Sequence, residues 1–180
     1  KKGPDITLFS GDKMLGGPQS GIILSTKILI NIIKSNSIYR TVRCDKITIA
    51  ILDDILRSYK KNGFLKSNLA LMLLTQDRKT LKKMAEEIIN SVQEHKLRTL
   101  GLTIEDSMVE AGSGSLPEKN LKSVTLKFSP KNISIDIISK SFKQYKVPII
   151  GFINRNSFFI DLKAVLPSQS FHIIDAINKV

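Results

Sequence analysis

The apolar positions of this chain alternate between short strand-like runs and longer helical stripes. Ile6-Thr7-Leu8-Phe9 and Ile22-Ile23-Leu24 predict two short strands, one entering and one leaving a glycine-rich stretch from Ser10 to Gly21. Ile28 and Ile32, with Leu29 and Ile33, share one face and predict a helix capped by Ser25 or Thr26 and running to about Ser35. Arg40 to Asp45 reads as a polar connector. Beyond it Ile47, Ala50, Ile51, Asp54, Ile55 and Ser58 recur at helical spacing until Asn62-Gly63 stops the helix. Leu69 to Leu74 continues as an apolar helix or turn.

Gln76-Asp77-Arg78-Lys79 caps a further amphipathic helix, with Leu81, Met84, Ala85, Ile88, Ile89 and Val92 as its buried stripe. Val124 to Phe128 alternates as a strand, and Asn132 or Ser134 opens a helix to about Tyr145. Val147 to Ile153 and Ser157 to Asp161 predict a hairpin across Asn154-Arg155-Asn156, and Ser168 to Asn178 predicts a closing helix. Gly112-Ser113-Gly114-Ser115 reads as a loop. The pattern divides near residue 65 into an α/β segment, 1–65, and a small α+β domain, 66–180, in which two helices cover an antiparallel sheet. Two strands and two helices cannot bury both faces of a sheet, so residues 1–65 are expected to be marginally stable alone.

Composition narrows the class. The chain has 180 residues, 42% apolar and 24% charged, which is the make-up of a folded protein. Its apolar runs are too short to span a bilayer and no signal-peptide pattern opens it, so a cytoplasmic location is expected. One cysteine, Cys44, excludes an internal disulfide and a cysteine metal cluster. The chain opens on Lys1 rather than Met and leads at once into a strand pattern, as if its start lay inside a larger fold. A net charge of +12 invites nucleic acid. That charge is spread out: residues 1–65 carry 11 basic and 5 acidic side chains, the rest 17 and 11. With 22 lysines against 6 arginines and heavy use of Ile and Asn, it is equally what a biased genome gives a neutral surface.

The glycine-rich stretch carries the chemistry. Lys13 sits between a strand end and a turn, three residues after Ser10, where a Schiff-base lysine needs to be, with hydroxyl and backbone N–H groups at hand for a phosphate. On spacing alone an exposed hairpin lysine reads as well. The longer string Ser-Gly-Asp-Lys-Met-Leu-Gly-Gly-Pro-Gln-Ser-Gly-Ile-Ile, from Ser10 to Ile23, closely resembles the pyridoxal-phosphate lysine motif of the bacterial selenocysteine synthases, the L-seryl-tRNA(Sec) selenium transferases. Tyr39-Arg40-Thr41-Val42-Arg43-Cys44-Asp45-Lys46 is similar to that family's R-A-L-R-V-D-K stretch, and Glu110 to Pro117 to its G-G-G-S-L-P loop. Pro148-Ile149-Ile150-Gly151 and Phe159-Ile160-Asp161-Leu162 are similar to its closing hairpin. The matches keep their order across nearly the whole chain.

The resemblance implies the C-terminal portion of a pyridoxal-phosphate fold type I (aspartate-aminotransferase-like) large domain in residues 1–65, followed by a small α+β domain in 66–180. It implies pyridoxal 5'-phosphate on Lys13, conversion of seryl-tRNA(Sec) with selenophosphate, and a homo-oligomer built from dimers with no membrane. Asp12 would steer protons or leaving water beside Lys13, and Ser10 would bind the cofactor phosphate. Arg40 and Arg43 would bind the anionic selenium donor, because guanidinium groups match phosphate oxygens bidentately. The residues that hold the cofactor's pyridine nitrogen, stack on its ring and cradle its phosphate in glycines, together with the family's tRNA-binding region, would precede this segment, so the chain is expected to be a fragment.

Two alternatives stay open: another lyase of the superfamily acting on a phosphorylated amino sugar, and a non-catalytic basic module that binds RNA or a subunit. The remaining polar residues have plainer readings. Cys44, where the family tends to be aliphatic, reads as a small buried side chain. His95 reads as a helix C-terminal charge and His172 as a helix-surface residue, with no metal-ligand spacing and no metal expected. Asp53-Asp54 and Glu86-Glu87 read as solvated helix charges. Asp161 is expected to pair with Lys163 or Arg155.

Overall fold

A computed structural model describes residues 3–61, 63–110 and 120–180, without the side chains of Lys66 and Asn120. The loop expected at Gly112 to Ser115 lies outside the described residues, as does Asn62 of the expected helix stop. The chain forms two compact units, Lys1–Met72 and Leu73–Val180.

In the first unit, β1 (Ile6–Ser10) and β2 (Gly21–Ser25) pair antiparallel, with Ile6 opposite Ser25 and Ser10 opposite Gly21. Thr26 caps α1 (Lys27–Ser35) and Asn36 caps α2 (Ser37–Thr41). The polar connector expected at residues 40–45 is therefore partly helical: Asn36 accepts the N–H of Ile38, which starts a short turn of helix before Val42. Asp45 caps α3 (Lys46–Lys60), accepting from the N–H groups of Ile47 at 2.7 Å and Thr48 at 2.9 Å. The short helices α4 (Phe64–Ser67) and α5 (Leu69–Leu74) follow, α5 reaching past the unit's end.

No apolar side chain described in this unit is buried. Leu8, Ile28, Ile38, Val42 and Ile47 are each at least 66% exposed. The helical stripes are amphipathic, so their periodicity is real, but the surface it prepares is left uncovered within the unit. Cys44 is half-buried.

The second unit has an orthodox core. Asp77 caps α6 (Arg78–Asn90), which buries Leu81, Met84, Ala85 and Ile88, and Gly101 ends α7 (Glu94–Leu100) in the left-handed conformation. Strands β3 (Leu102–Glu110), β4 (Asn120–Phe128), β5 (Phe152–Asn154) and β6 (Ser157–Asp161) form an antiparallel sheet in the order β3-β4-β6-β5. The remaining helices are α8 (Ile135–Gln144), capped by Ser134, and α9 (Ser170–Lys179). Single 3₁₀ turns at Leu162–Ala164 and Pro167–Gln169 lead from β6 into α9. Val124, Leu126 and Phe128 of β4 and Phe158 and Ile160 of β6 join residues of α6, α7, α8 and α9 in one cluster. At its centre Phe142 lies 5.2 Å from Phe128 and 5.4 Å from Phe158 between ring centroids.

Some expectations change here. Strand β3 and helix α7 were not legible as elements, and more than two helices cover the sheet. Residues 147–151 precede rather than join the hairpin, which is short and turns through Arg155 and Asn156, both at positive φ, the geometry of a two-residue hairpin turn. His95 stands in the first turn of α7, not at a helix C-terminus. His172 is partly enclosed, its Nδ1 buried without a hydrogen-bond partner among the described residues. Asp161 accepts the Ser123 and Ser107 hydroxyls at 2.6 and 2.9 Å and the Lys163 backbone N–H at 2.9 Å. The Lys163 side chain reaches the carbonyls of Gln76 at 2.7 Å and Lys122 at 2.9 Å instead.

Candidate functional site

The segment between β1 and β2 is held by its own backbone. Gly11 N–H donates to the Ser20 carbonyl at 2.8 Å, Gly17 N–H to the Gly11 carbonyl at 2.8 Å, and Gly16 N–H to the Lys13 carbonyl at 2.9 Å. Glycine is required at two of these places. Gly16 has φ +76°, and a side chain there would strike the Asn68 amide; a side chain on Gly11 would strike Ser20 and the Pro18 carbonyl. The glycines spread through residues 11–21 thus close a tight loop whose tip carries Lys13.

Lys13 Nζ lies 3.0 Å from Asp12 Oδ2, with the two side chains 67% and 29% exposed. That hydrogen bond holds the Asp12 carboxyl below the usual carboxylate range, against a smaller opposing push from burial. The amine is therefore open to solvent on a loop closed by its own backbone hydrogen bonds, with an ionised carboxylate beside it as counter-charge.

Sequence reasoning missed the residues that fix the loop from outside. The Asn68 amide donates to the carbonyls of Met14 at 2.9 Å and Leu15 at 3.1 Å, the two residues after Lys13, and to the Tyr59 hydroxyl at 3.2 Å. Tyr59 in α3 donates to the Leu15 carbonyl at 3.1 Å, and its ring stacks on Phe64 with centroids 4.7 Å apart. Asn68, only 8% exposed, also accepts the N–H of Leu71 at 3.1 Å in the first turn of α5. The available signal was an asparagine placed just before the apolar run Leu69 to Leu74.

The other expected site residues are not joined to this loop by any hydrogen bond or ion pair among the described residues. Ser10 ends β1 and is exposed. Arg40 lies in α2 and Arg43 in the connection to α3, both exposed and without an ion-pair partner among the described residues. No cluster of three His, Cys, Asp or Glu able to hold a metal occurs among the described residues. No helix among them is long and apolar enough to cross a membrane.

A two-stranded hairpin presenting a lysine from a glycine loop, followed by an antiparallel-sheet unit, defines a mixed α/β chain with a candidate carbonyl-binding amine on that loop. The family model described as L-seryl-tRNA selenium transferase matches residues 1–166. The L-seryl-tRNA(Sec) selenium transferase of Carboxydothermus hydrogenoformans is 32% identical over 93% of this chain and 36% of its own length. That of Alkaliphilus oremlandii is 33% identical over 99% of this chain and 38% of its own. The enzyme of Desulfotalea psychrophila is 35% identical over 92% and 36%. The chain belongs to the L-seryl-tRNA selenium transferase family, and it spans little more than a third of the length of these relatives.

Proposed function

We propose that this chain is the C-terminal part of a pyridoxal-phosphate-dependent enzyme that converts seryl-tRNA(Sec) to selenocysteinyl-tRNA(Sec) with selenophosphate, in the cytoplasm and as a homo-oligomer of dimers. Residues 1–65 are the end of a fold type I cofactor domain and residues 66–180 its small α+β domain. The observation that carries the reading is the exposed Lys13 amine on a glycine-closed loop, 3.0 Å from Asp12, in a chain matched by the selenium transferase family.

The residues present fit the cofactor. An amine is the group that captures its aldehyde, and the Lys13 side chain is accessible. When bound, pyridoxal phosphate supplies an electron sink for breaking bonds at the serine α- and β-carbons. Lys13 Nζ holds the cofactor and then moves the α-proton. The Asp12 carboxylate keeps a counter-charge next to that amine and helps steer a proton to the departing hydroxyl, which leaves as water. Ser10 Oγ, free of other hydrogen bonds among the described residues, donates to the cofactor phosphate. Arg40 and Arg43, exposed and unpaired among the described residues, bind selenophosphate, each guanidinium offering paired donors to its oxygens.

Incubation with pyridoxal phosphate, borohydride reduction and peptide mass spectrometry tests the reading. In the protein that includes the preceding cofactor-cradling segment, a reduced adduct concentrated on Lys13 is expected, and a spread over the other lysines without enrichment would overturn the reading; absence of the Lys13 adduct in this chain alone marks it as an inactive fragment.

A further inference from the structure

We propose that Asn68 and Tyr59 form a latch that positions Lys13, and that the direction in which the amine is presented is set by these two side chains rather than by the loop alone. The inference rests on the reading of Lys13 as the cofactor-binding lysine. Within the loop, the backbone of residues 13–15 is closed by a single turn hydrogen bond, Gly16 N–H to the Lys13 carbonyl at 2.9 Å. The carbonyls of Met14 and Leu15 are instead taken from outside, by the Asn68 amide at 2.9 and 3.1 Å and the Tyr59 hydroxyl at 3.4 and 3.1 Å.

Three features make this a device and not incidental contact. First, burial in the first unit is concentrated on it: among the described residues there, Gly11 in the loop and Asn68 are buried while every apolar side chain keeps some exposure. Second, both latch residues are themselves fixed, Tyr59 by its stack on Phe64 and Asn68 by the N–H of Leu71. Third, Gly16, at φ +76°, lets the loop come close enough for the Asn68 amide to reach it. A long exposed lysine side chain takes its starting point and direction from its backbone, and a displacement of about 1 Å at a reacting group can cost about a hundredfold in rate.

The test uses the protein, preceding segment included, with Asn68→Asp, which keeps size and the acceptor for Leu71 but loses the donors, and Tyr59→Phe, which keeps the ring stack and loses the hydroxyl. Two readouts are taken together: amide hydrogen exchange at Gly16 and Gly17, and the share of reduced pyridoxal-phosphate adduct on Lys13 relative to the exposed Lys46. Asn68→Asp is expected to speed exchange at Gly16 and Gly17 by about tenfold or more and to lower the Lys13 share by a similar factor, with Tyr59→Phe smaller in both. Exchange in α3 serves as the control for folding, and Tyr59→Phe carries the test if Asn68→Asp perturbs it. Unchanged exchange at the two glycines overturns the latch. Faster exchange with an unchanged Lys13 share overturns positioning and leaves a structural clamp. A wild-type protein, preceding segment included, without Lys13 enrichment overturns the functional reading instead, which separates the two failures.

Discussion

Replacing Phe142 by Ala tests whether the second unit is closed around its three phenylalanines. The Phe142 side chain is fully buried, and its ring meets Phe128 edge-on and Phe158 in a stack. Truncation removes the ring's transfer energy and leaves a cavity that the rings of Phe128 and Phe158 cannot both collapse into, a loss of about 3–5 kcal/mol. With a urea dependence of about 2 kcal/mol per molar for a unit of this size, that loss lowers the unfolding midpoint by about 2 M. Phe142→Leu keeps much of the volume and should lose only about 1–2 kcal/mol. Urea unfolding followed by circular dichroism gives the midpoints, and peptide-resolved hydrogen exchange assigns the change to residues 73–180. A loss below about 1 kcal/mol for the alanine variant, in the range of surface substitutions, would refute the reasoning.

Other outcomes follow from single features. Gly101→Ala forces a side chain into the left-handed conformation and against the Ser129 carbonyl; it should cost more than about 1 kcal/mol and lower the thermal midpoint by several degrees. Burial pushes the Lys163 ammonium below its ordinary value near 10.5, so the unfolded chain holds that proton more tightly and stability rises with pH between the folded value and the ordinary one. Lys163→Met should abolish that rise in urea midpoints as pH climbs toward about 10, while destabilising the unit at neutral pH by leaving two carbonyls without their donor. The Tyr145 hydroxyl, then Lys179, holds the Asp175 carboxyl well below the usual carboxylate range. The stabilisation is full above the ordinary carboxylate value and is lost as pH falls below it, so Asp175→Asn should flatten acid unfolding below about pH 4.

What the sequence reveals and what it hides divide on physical lines. Helices α1, α3 and α6 carry clean stripes with a capping Thr26, Asp45 or Asp77, and all three form near their expected bounds. Strand β3 was hidden because its core-side row reads Leu102, Ile104, Asp106, Met108: the alternation breaks at Asp106. That carboxylate lies where the face opens to solvent, 63% exposed, and Arg78 of α6, 28 residues away, meets it with two hydrogen bonds of 2.7 Å. At the candidate site, the strand-loop-strand frame was legible from glycines and spacing, while Lys13 and Asp12 stood out through the family resemblance. Tyr59 and Asn68 were not, since a hydrogen bond to a carbonyl 44 to 54 residues distant leaves no periodicity in either side chain's neighbourhood.

The absence of buried apolar side chains among the described residues of the first unit has a calorimetric consequence. The heat capacity gained on unfolding comes from hydrating apolar surface that was dry in the native state. Here that surface is concentrated between Leu81 and Ile177. A chain of this length with an evenly distributed interior would gain about 2.2–2.7 kcal/mol/K, whereas residues 73–180 alone account for about 1.3–1.6. In a scanning calorimeter the 180-residue chain should therefore gain less heat capacity than an evenly packed chain of its length, with Lys13 riding on the segment that contributes least per residue.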